Sequence, residues 1–273
     1  MAVSERNAAA RATWALGDYH RFATDLIWQL GAELVAACGI SAGDRVLDVA
    51  AGTGNTALRA AARGAKVVAS DLTPENFAAG RDEARKLGVE VEWVEADAES
   101  LPFEDGEFDV VTSSVGAMWA PDHQAVADEL VRVCRPGGVI GMVNFSADGL
   151  LSDFLDVFTP YLPPPPDAQS PTLWGSEDHL RGLFGDRVES LLLTPSAYLE
   201  RVVGGPRGYC EYYKRTFGPV IALYAALAEQ PERLARLDRD FLDFAVRANR
   251  GGDGDAAELR FEYLLVVAGK RRS

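Results

Sequence analysis

Hydrophobic positions along the chain alternate between two spacings, and this alternation predicts strands and helices in turn. Short runs of β-branched and other apolar residues predict strands, while apolar positions three or four residues apart predict amphipathic helices. The predicted strands cover residues 46–49, 66–70, 91–95, 108–112 and 139–144, and helices are predicted over 57–62, 74–87 and 122–132. Strict alternation of this kind favours an α/β fold, a doubly wound parallel sheet with helices on both faces.

The segments that flank this core are predicted to be mainly helical. Apolar and aromatic residues between Trp14 and Val35 recur near helical spacing, so residues 1–40 are predicted to form an N-terminal helical lid ahead of a core over 41–145. Beyond the core we predict a helix over 151–158, a proline-rich surface linker over 160–171 and a helix over 176–184.

The last third of the chain contains two more strand-like runs, 188–193 and 260–268, and the second is assigned as antiparallel. The stretch between them is too long for a hairpin, and its tyrosines and phenylalanines fall at helical intervals. We therefore predict an insertion of two or three helices over 206–254, which ends in a flexible linker over 250–255. The whole chain, 1–273, is predicted to be a single domain with about seven strands.

The small-residue loop after the first strand is the best candidate for a ligand site. Glycines between Ala50 and Asn55 let a ligand lie against backbone N–H groups at a helix N-terminus. The loop fits the dinucleotide-binding pattern G-x-G-x-x-A, with Asp71 at about the 20-residue distance of a ribose-binding acid. Asp48 would repel a pyrophosphate but attract an ammonium and a sulfonium, which favours S-adenosylmethionine over NAD.

At this point the sequence resembles the class I S-adenosylmethionine-dependent methyltransferases, especially the ubiquinone/menaquinone-biosynthesis type. Five motifs in the family's order and spacing carry the resemblance: Val46 to Gly54, Ala69 to Pro74, Glu95 to Phe103, Phe108 to Val111, and Arg135 to Gly138. The resemblance implies a Rossmann-like fold and methyl transfer to a small molecule, with S-adenosylhomocysteine as the product.

The same resemblance implies a set of cofactor-binding residues. Asp71 is expected to accept hydrogen bonds from both ribose hydroxyls, because the carboxyl end of its strand meets the ligand crevice. Asp97 and the backbone of Ala98 are expected to bind the adenine. The remaining cofactor contacts are assigned to Tyr19, Asp48, Ala50, Gly52, Gly54, Leu72 and Ser114. The family usually has glycine where this chain has Ala50, which predicts a negative φ at that alanine.

Composition and charge describe an ordinary soluble globular protein. The chain carries a formal charge of −14 and a sequence pI near 4.7, which argues against nucleic-acid binding. It contains neither a secretory signal nor an apolar run of transmembrane length, so we expect a cytoplasmic protein without a membrane span. Cys38, Cys134 and Cys210 are predicted to be reduced and largely buried, and no metal site is expected.

The acceptor side of the predicted site is less defined. Met118 and Trp119 follow the central strand, and Tyr209 and Tyr213 lie on the insertion, which we interpret as a cap over a small, apolar or aromatic acceptor. His20, beside the lid, is the candidate general base. The other two histidines, His123 and His179, are predicted to lie on the surface.

Two alternative functions stay open on the sequence alone. The glycine loop also suits an NAD(P)-dependent oxidoreductase, and the fold suits a non-catalytic cofactor-binding or interaction protein. The acceptor identity and the methylated atom are undetermined, and the protein is expected to be a monomer or a homodimer.

Overall fold

The computed structural model describes residues 5–163, 168–252 and 254–272. Its α-helices are α1 Glu5–Trp14, α2 Tyr19–Phe22, α3 Trp28–Ala37, α4 Asn55–Ala62, α5 Phe77–Leu87, α6 His123–Val133, α7 Leu150–Phe158, α8 Glu177–Phe184, α9 Gly205–Thr216, α10 Gly218–Ala226 and α11 Pro231–Ala248. Its strands are β1 Arg45–Val49, β2 Lys66–Asp71, β3 Glu92–Glu95, β4 Phe108–Ser114, β5 Cys134–Phe145, β6 Val188–Val203 and β7 Ala256–Lys270. Among these described residues, no helix is both long enough and apolar enough to cross a bilayer.

The strands form one seven-stranded sheet in the order β3-β2-β1-β4-β5-β7-β6. Strands β1 to β5 are parallel, whereas β7 runs antiparallel to both β5 and β6. Because β1 and β4 are adjacent and the chain winds outward on both sides of them, a crevice opens at their carboxyl ends, where ligands bind in such sheets. The predicted fold class is confirmed, including the antiparallel last strand.

The two final strands are longer than predicted and project past the rest of the sheet. Strand β5 ends at Phe145, which pairs with Tyr263, while β6 and β7 continue to pair as far as Val203 and Ala256. Side chains on the projecting part of β6 alternate, so that Glu200 and its neighbours two residues away are buried and the residues between them are exposed. The ribbon therefore presents one face to the crevice.

The predicted insertion consists of helices α9, α10 and α11. Helix α9 contacts β6, β7 and α11, and α11 in turn contacts α7. The buried side chains of α11 are Leu237, Phe241, Phe244 and Ala245. The last three join the main hydrophobic core, and Leu237 belongs to a smaller apolar cluster with Tyr161, Leu223 and Leu227. The insertion is therefore packed on the carboxyl end of the sheet next to α7.

Some boundaries differ from the predictions. A 3₁₀ turn over Pro74–Asn76 precedes α5, and Thr73 makes no side-chain cap, since its side chain bonds to Asp71 instead. The predicted linkers over 160–171 and 250–255 and the predicted lid over 1–40 each include residues outside the described ranges.

Candidate active site

Asp48 connects the central strands to the first helix of the site. Its side chain is 2% exposed, and it accepts hydrogen bonds from the Ala57 N–H at 3.0 Å and the Thr112 hydroxyl at 2.9 Å. The first of these satisfies an N–H in the opening turn of α4, which otherwise has no partner within the helix. The carboxylate thus fixes the glycine loop against β1 and β4.

Backbone strain is concentrated in two loops of the site. Among the described residues, Ala50 with φ 53° and Val115 with φ 47° are the two non-glycine residues with positive φ. The prediction of a negative φ at Ala50 is therefore wrong. The loop keeps a left-handed conformation at this position despite a cost of roughly 1–2 kcal/mol for a side chain there. The loop around Ala50 packs closely against Gly116. A Cβ at position 116 would lie 2.3 Å from the Ala50 carbonyl oxygen, so this packing requires glycine there.

Asp71 ends β2 at the edge of the crevice. One carboxylate oxygen accepts the Gly52 N–H at 2.7 Å, and the other accepts the Thr73 N–H at 2.8 Å. The Thr73 side chain bonds to the carboxylate as well, which leaves capacity for a further hydrogen bond, because an ionised carboxylate accepts about four. Asp71 and Leu72 line the main cavity together with Gly52.

Helix α1 closes the neighbouring edge of this cavity. Asn7 donates a hydrogen bond to Asp97 at 2.5 Å, and Arg11 pairs with both Glu75 and Glu95 at 2.8 Å. These contacts attach the N-terminal helix to the loops after β2 and β3. Asp97 and the adjacent Ala98 line the cavity.

A smaller cavity beside the glycine loop contains three buried hydroxyl groups without a partner. Within the described ranges, no protein atom forms a hydrogen bond with the hydroxyls of Thr53, Thr56 or Ser114. All three residues line this cavity together with Asp48 and Tyr19. Buried polar groups are normally paired, so unpaired hydroxyls facing one space indicate a polar ligand group. This cavity has a volume of only about 10 Å³, room for about one water molecule, so the three hydroxyls mark polar contact points beside the glycine loop and not a formed pocket for a whole ligand group.

The electrostatics of the site favour a cationic ligand. Burial raises the pKa of Asp48 to about 7, against the opposing hydrogen bonds from Thr112 and the Ala57 N–H. Burial also raises the pKa of Asp71, again against its backbone hydrogen bonds. A nearby positive charge would stabilise both ionised carboxylates, whereas a pyrophosphate would be repelled.

The main cavity continues from these acids into an aromatic chamber. The cavity has a volume of about 340 Å³, which suits a small ligand. The far walls are apolar and come from β5, α7, β7 and the residue that joins α9 to α10. They are formed by Phe145, Leu151, Phe154, Phe217 and Phe261. We refer to this set as the aromatic chamber.

The structure brings most of the predicted site residues to these two cavities. Tyr19, Ala50, Gly52, Asp71, Leu72, Asp97, Ala98, Trp119 and Tyr213 line the main cavity, and Asp48 and Ser114 line the smaller one. Gly54 lies outside both linings, and a Cβ on it would lie 2.6 Å from the Trp93 ring. Met118 and Tyr209 are buried in the hydrophobic core, outside both linings.

The histidine predictions need correction. His20 lies outside the cavity linings, and its ring meets Trp28 edge-on at 6.1 Å. His123 is fully buried rather than on the surface, with its Nδ1 2.9 Å from the Nε2 of His179 and its ring against Trp174. Burial lowers the pKa of His123 to about 4, so this pair is neutral near pH 7. The helical pattern could not reveal it, because α8 and the 3₁₀ turn before it cover His123 from a distant part of the chain.

The predicted state of the cysteines is confirmed. Cys38, Cys134 and Cys210 are free and buried. Burial raises the pKa of each thiol, to about 12 for Cys38 and Cys210 and to about 11 for Cys134. Such thiols are protonated and unreactive near neutral pH.

The sequence analysis missed several residues of the cavity, among them those of the aromatic chamber and the polar residues Asn7, Tyr198 and Glu200. Asn7 lies in the predicted lid, where a single polar residue gives no signal. Tyr198 and Glu200 lie on the part of β6 that was not predicted as a strand. The residues from Tyr198 to Val202 do not alternate between apolar and polar types, so the sequence carries no signal that places Glu200 on the inner face.

Comparisons with known proteins agree with this geometry. The family described as "Methyltransferase domain" matches residues 46–138. An uncharacterized protein of Mycobacterium tuberculosis is 42% identical over 269 residues, which is 97% of this chain and 95% of the relative. The demethylmenaquinone methyltransferase of Thermus thermophilus is 41% identical over 126 residues, which is 45% of this chain and 56% of the relative.

Among solved structures, the chain is similar to a Bacillus halodurans C-125 protein assigned as a methyltransferase. The two are 25% identical with a TM-score of 0.58, over 88% of this chain and 98% of that one. These findings favour methyl transfer over both alternatives, the oxidoreductase and the non-catalytic protein. The chain therefore belongs to the class I S-adenosylmethionine-dependent methyltransferases, and it transfers a methyl group from this cofactor to a small-molecule acceptor.

Proposed function

We propose that the acceptor is a small apolar or aromatic molecule held in the aromatic chamber. The observation that carries this proposal is a single cavity whose walls change along its length. Acidic residues and backbone groups line one end, and the phenylalanines of the aromatic chamber line the other. Apolar surface of this kind binds apolar ligands by removing both surfaces from water.

In this proposal each end of the cavity has a defined role. Asp71 accepts the ribose hydroxyls, and Asp97 with the backbone of Ala98 binds the adenine. The hydroxyls of Thr53, Thr56 and Ser114 bind the amino-acid end of the cofactor. Their lack of protein partners supports this assignment.

The bound cofactor supplies an electrophilic methyl group on a positively charged sulfur. The chain's own residues contribute alignment and exclusion of water, which can provide much of the rate in such a displacement. Helix α1 and Tyr19 cover the nucleoside end, and α7 and α9 cover the acceptor end. Residues 206–254 therefore act as an acceptor cap in this proposal.

Methyl transfer to a panel of acceptors tests the acceptor class. With methyl-labelled cofactor, we expect transfer to apolar acceptors such as 2-naphthol and no transfer to glycine or guanidinoacetate. Calorimetry with S-adenosylhomocysteine and with NAD should show binding of the first alone. Transfer confined to the polar acceptors would contradict the proposal.

Replacing Phe217 by leucine tests the role of the aromatic chamber. The variant keeps an apolar side chain but loses the ring that would contact an aromatic acceptor, together with its ring contacts to Trp14, Phe22 and Tyr213. Aromatic contacts are worth about 0.5–1.5 kcal/mol, so the Kd of 2-naphthol for the S-adenosylhomocysteine complex should rise about 2- to 12-fold.

The control for this prediction is Tyr224→Phe. Tyr224 lies on α10 of the same cap but outside the cavity lining, and it bonds to Asp238. In both variants cofactor affinity should change less than twofold. If Phe217→Leu weakens cofactor and 2-naphthol binding equally, the chamber does not serve the acceptor.

The net charge of the chain also supports a small-molecule acceptor over a nucleic acid. The formal charge of −14 would repel a phosphate backbone. The oligomeric state, monomer or homodimer, stays a prediction that sedimentation analysis can test.

A further inference from the structure

Glu200 on β6 is a buried carboxylate, 2% exposed, that lines the same cavity as the aromatic chamber. Its Oε1 accepts a hydrogen bond from the Tyr198 hydroxyl at 3.0 Å. Its Oε2 accepts bonds from Tyr213 at 2.8 Å and from Tyr209 at 3.3 Å. A buried carboxylate is costly unless it is hydrogen-bonded, so these three tyrosines make its presence tolerable.

The tyrosines leave one position on Glu200 available to a bound molecule. An ionised carboxylate accepts about four hydrogen bonds, and the tyrosines supply three. Tyr198 and Tyr213 also line the cavity, while Tyr209 lies behind them in the core. The cluster is therefore built around an acceptor site that faces the chamber, rather than around a closed structural contact.

The charge state of this cluster suits proton transfer. Burial raises the pKa of Glu200 to about 7, while the three tyrosine hydroxyls oppose the shift by stabilising the ionised form. The pKa values of Tyr198, Tyr209 and Tyr213 are raised well above their usual range by burial and by Glu200, so they remain donors. Two further tyrosines lie near the cluster, Tyr212 on α9 and Tyr263 on β7. Burial raises their pKa values too, so they also remain protonated.

We propose that Glu200 is the general base of the reaction, and that the acceptor is an apolar molecule with a phenol-like or similar X–H group directed at this carboxylate. This inference rests on the proposed function, because it requires an acceptor in the aromatic chamber. His20, the base candidate from the sequence, lies outside the cavity lining.

The step is balanced in atoms and electrons. The acceptor X–H bond breaks, and its proton moves to a carboxylate oxygen of Glu200. The electron pair on X forms the bond to the methyl carbon, while the pair of the breaking C–S bond stays on sulfur as a neutral thioether. Glu200 then returns the proton to solvent, so the net products are methylated acceptor, S-adenosylhomocysteine and one proton.

A matched ligand pair tests the proposal by binding alone. 2-Naphthol and 2-methoxynaphthalene share a ring system and differ in the O–H group, which remains protonated at about pH 8. The S-adenosylhomocysteine complex should prefer 2-naphthol by about 10- to 150-fold, as for a hydrogen bond to a charged group. This preference should increase as pH rises through the titration of Glu200.

The variant Glu200→Gln should reduce the preference for 2-naphthol at least fivefold and abolish its pH dependence. Turnover of 2-naphthol should fall about 10²- to 10⁴-fold, the usual contribution of a general base. Cofactor affinity should change less than twofold. The control Glu211→Gln changes an exposed glutamate on α9, outside the cavity lining, and should leave all of these values unchanged.

A second variant keeps the test decisive if Glu200→Gln does not fold. Tyr213→Phe keeps the carboxylate but removes a donor that stabilises its ionised form, so the pH midpoint of the 2-naphthol preference should rise. Binding of both naphthalenes without any effect of either variant would overturn the role of Glu200 while leaving the acceptor class intact. Failure of both naphthalenes to bind would instead contradict the proposed function.

Discussion

Replacing Asp71 by alanine is expected to weaken binding of S-adenosylhomocysteine by about 10- to 150-fold. This range corresponds to about 1.5–3 kcal/mol, the usual contribution of hydrogen bonds to a charged group. The side chain has a double function, because its two oxygens also hold the N–H groups of Gly52 and Thr73. Its removal should therefore take away the ribose acceptors and loosen the loop on which the cofactor lies.

Calorimetry on the folded variant measures this effect, with Asp82→Ala as the matched control. Asp82 is an exposed aspartate on α5 that pairs with Arg85, away from the cavity lining. Its removal should leave the dissociation constant unchanged. If Asp71→Ala folds and binds S-adenosylhomocysteine as tightly as the wild type, the ribose assignment is wrong.

The cofactor half of the molecule could be predicted because its signals are local. The apolar runs of β1, β2 and β4 alternate with helical segments, and Asp71 and Asp97 follow their strands directly in sequence. Parallel strands bring their carboxyl ends to one edge of the sheet, so residues distant in sequence converge there without any further information.

The acceptor half could not be predicted to the same depth, and Pro195 is one physical reason. The predicted strand over 188–193 stops short of Pro195, and proline is rare in the interior of a sheet. The structure places β6 at the edge of the sheet, paired with β7 alone, and an edge strand tolerates a proline. The strand therefore continues through Pro195 and carries Glu200 onto the inner face.

Two other differences between prediction and structure also arise from contacts between segments that are distant in sequence. His123 has the spacing of an exposed residue in the first turn of α6, but Trp174 and His179 cover it. Ala50 carries a methyl group where the conformation favours glycine, because the approach of Gly116 fixes the loop path. Neither contact leaves a trace in the local sequence.

The second large effect is expected on stability, and it follows from the burial of Glu200. The pKa of this carboxyl is raised from 4.5 to about 7 in the folded protein. Between these values the unfolded chain has lost the proton while the folded protein still binds it, so the unfolded state gains stability as pH rises. The contribution of protonated Glu200 to the free energy of unfolding is complete below about pH 4.5 and is lost as pH rises through about 7.

Glutamine at position 200 removes this proton-linked change, so its effect should depend on pH. The free energy of unfolding of Glu200→Gln, relative to wild type, should increase by about 3 kcal/mol between pH 4.5 and pH 8. Urea unfolding at several pH values measures this difference. The pH dependence that Asp48 contributes cancels in it, because both proteins contain Asp48. The matched control Glu211→Gln, at an exposed glutamate of α9, should not show this increase. A difference for Glu200→Gln that is independent of pH would mean that this carboxylate ionises normally in the folded protein, and the tyrosine cluster would then hold a permanently charged group.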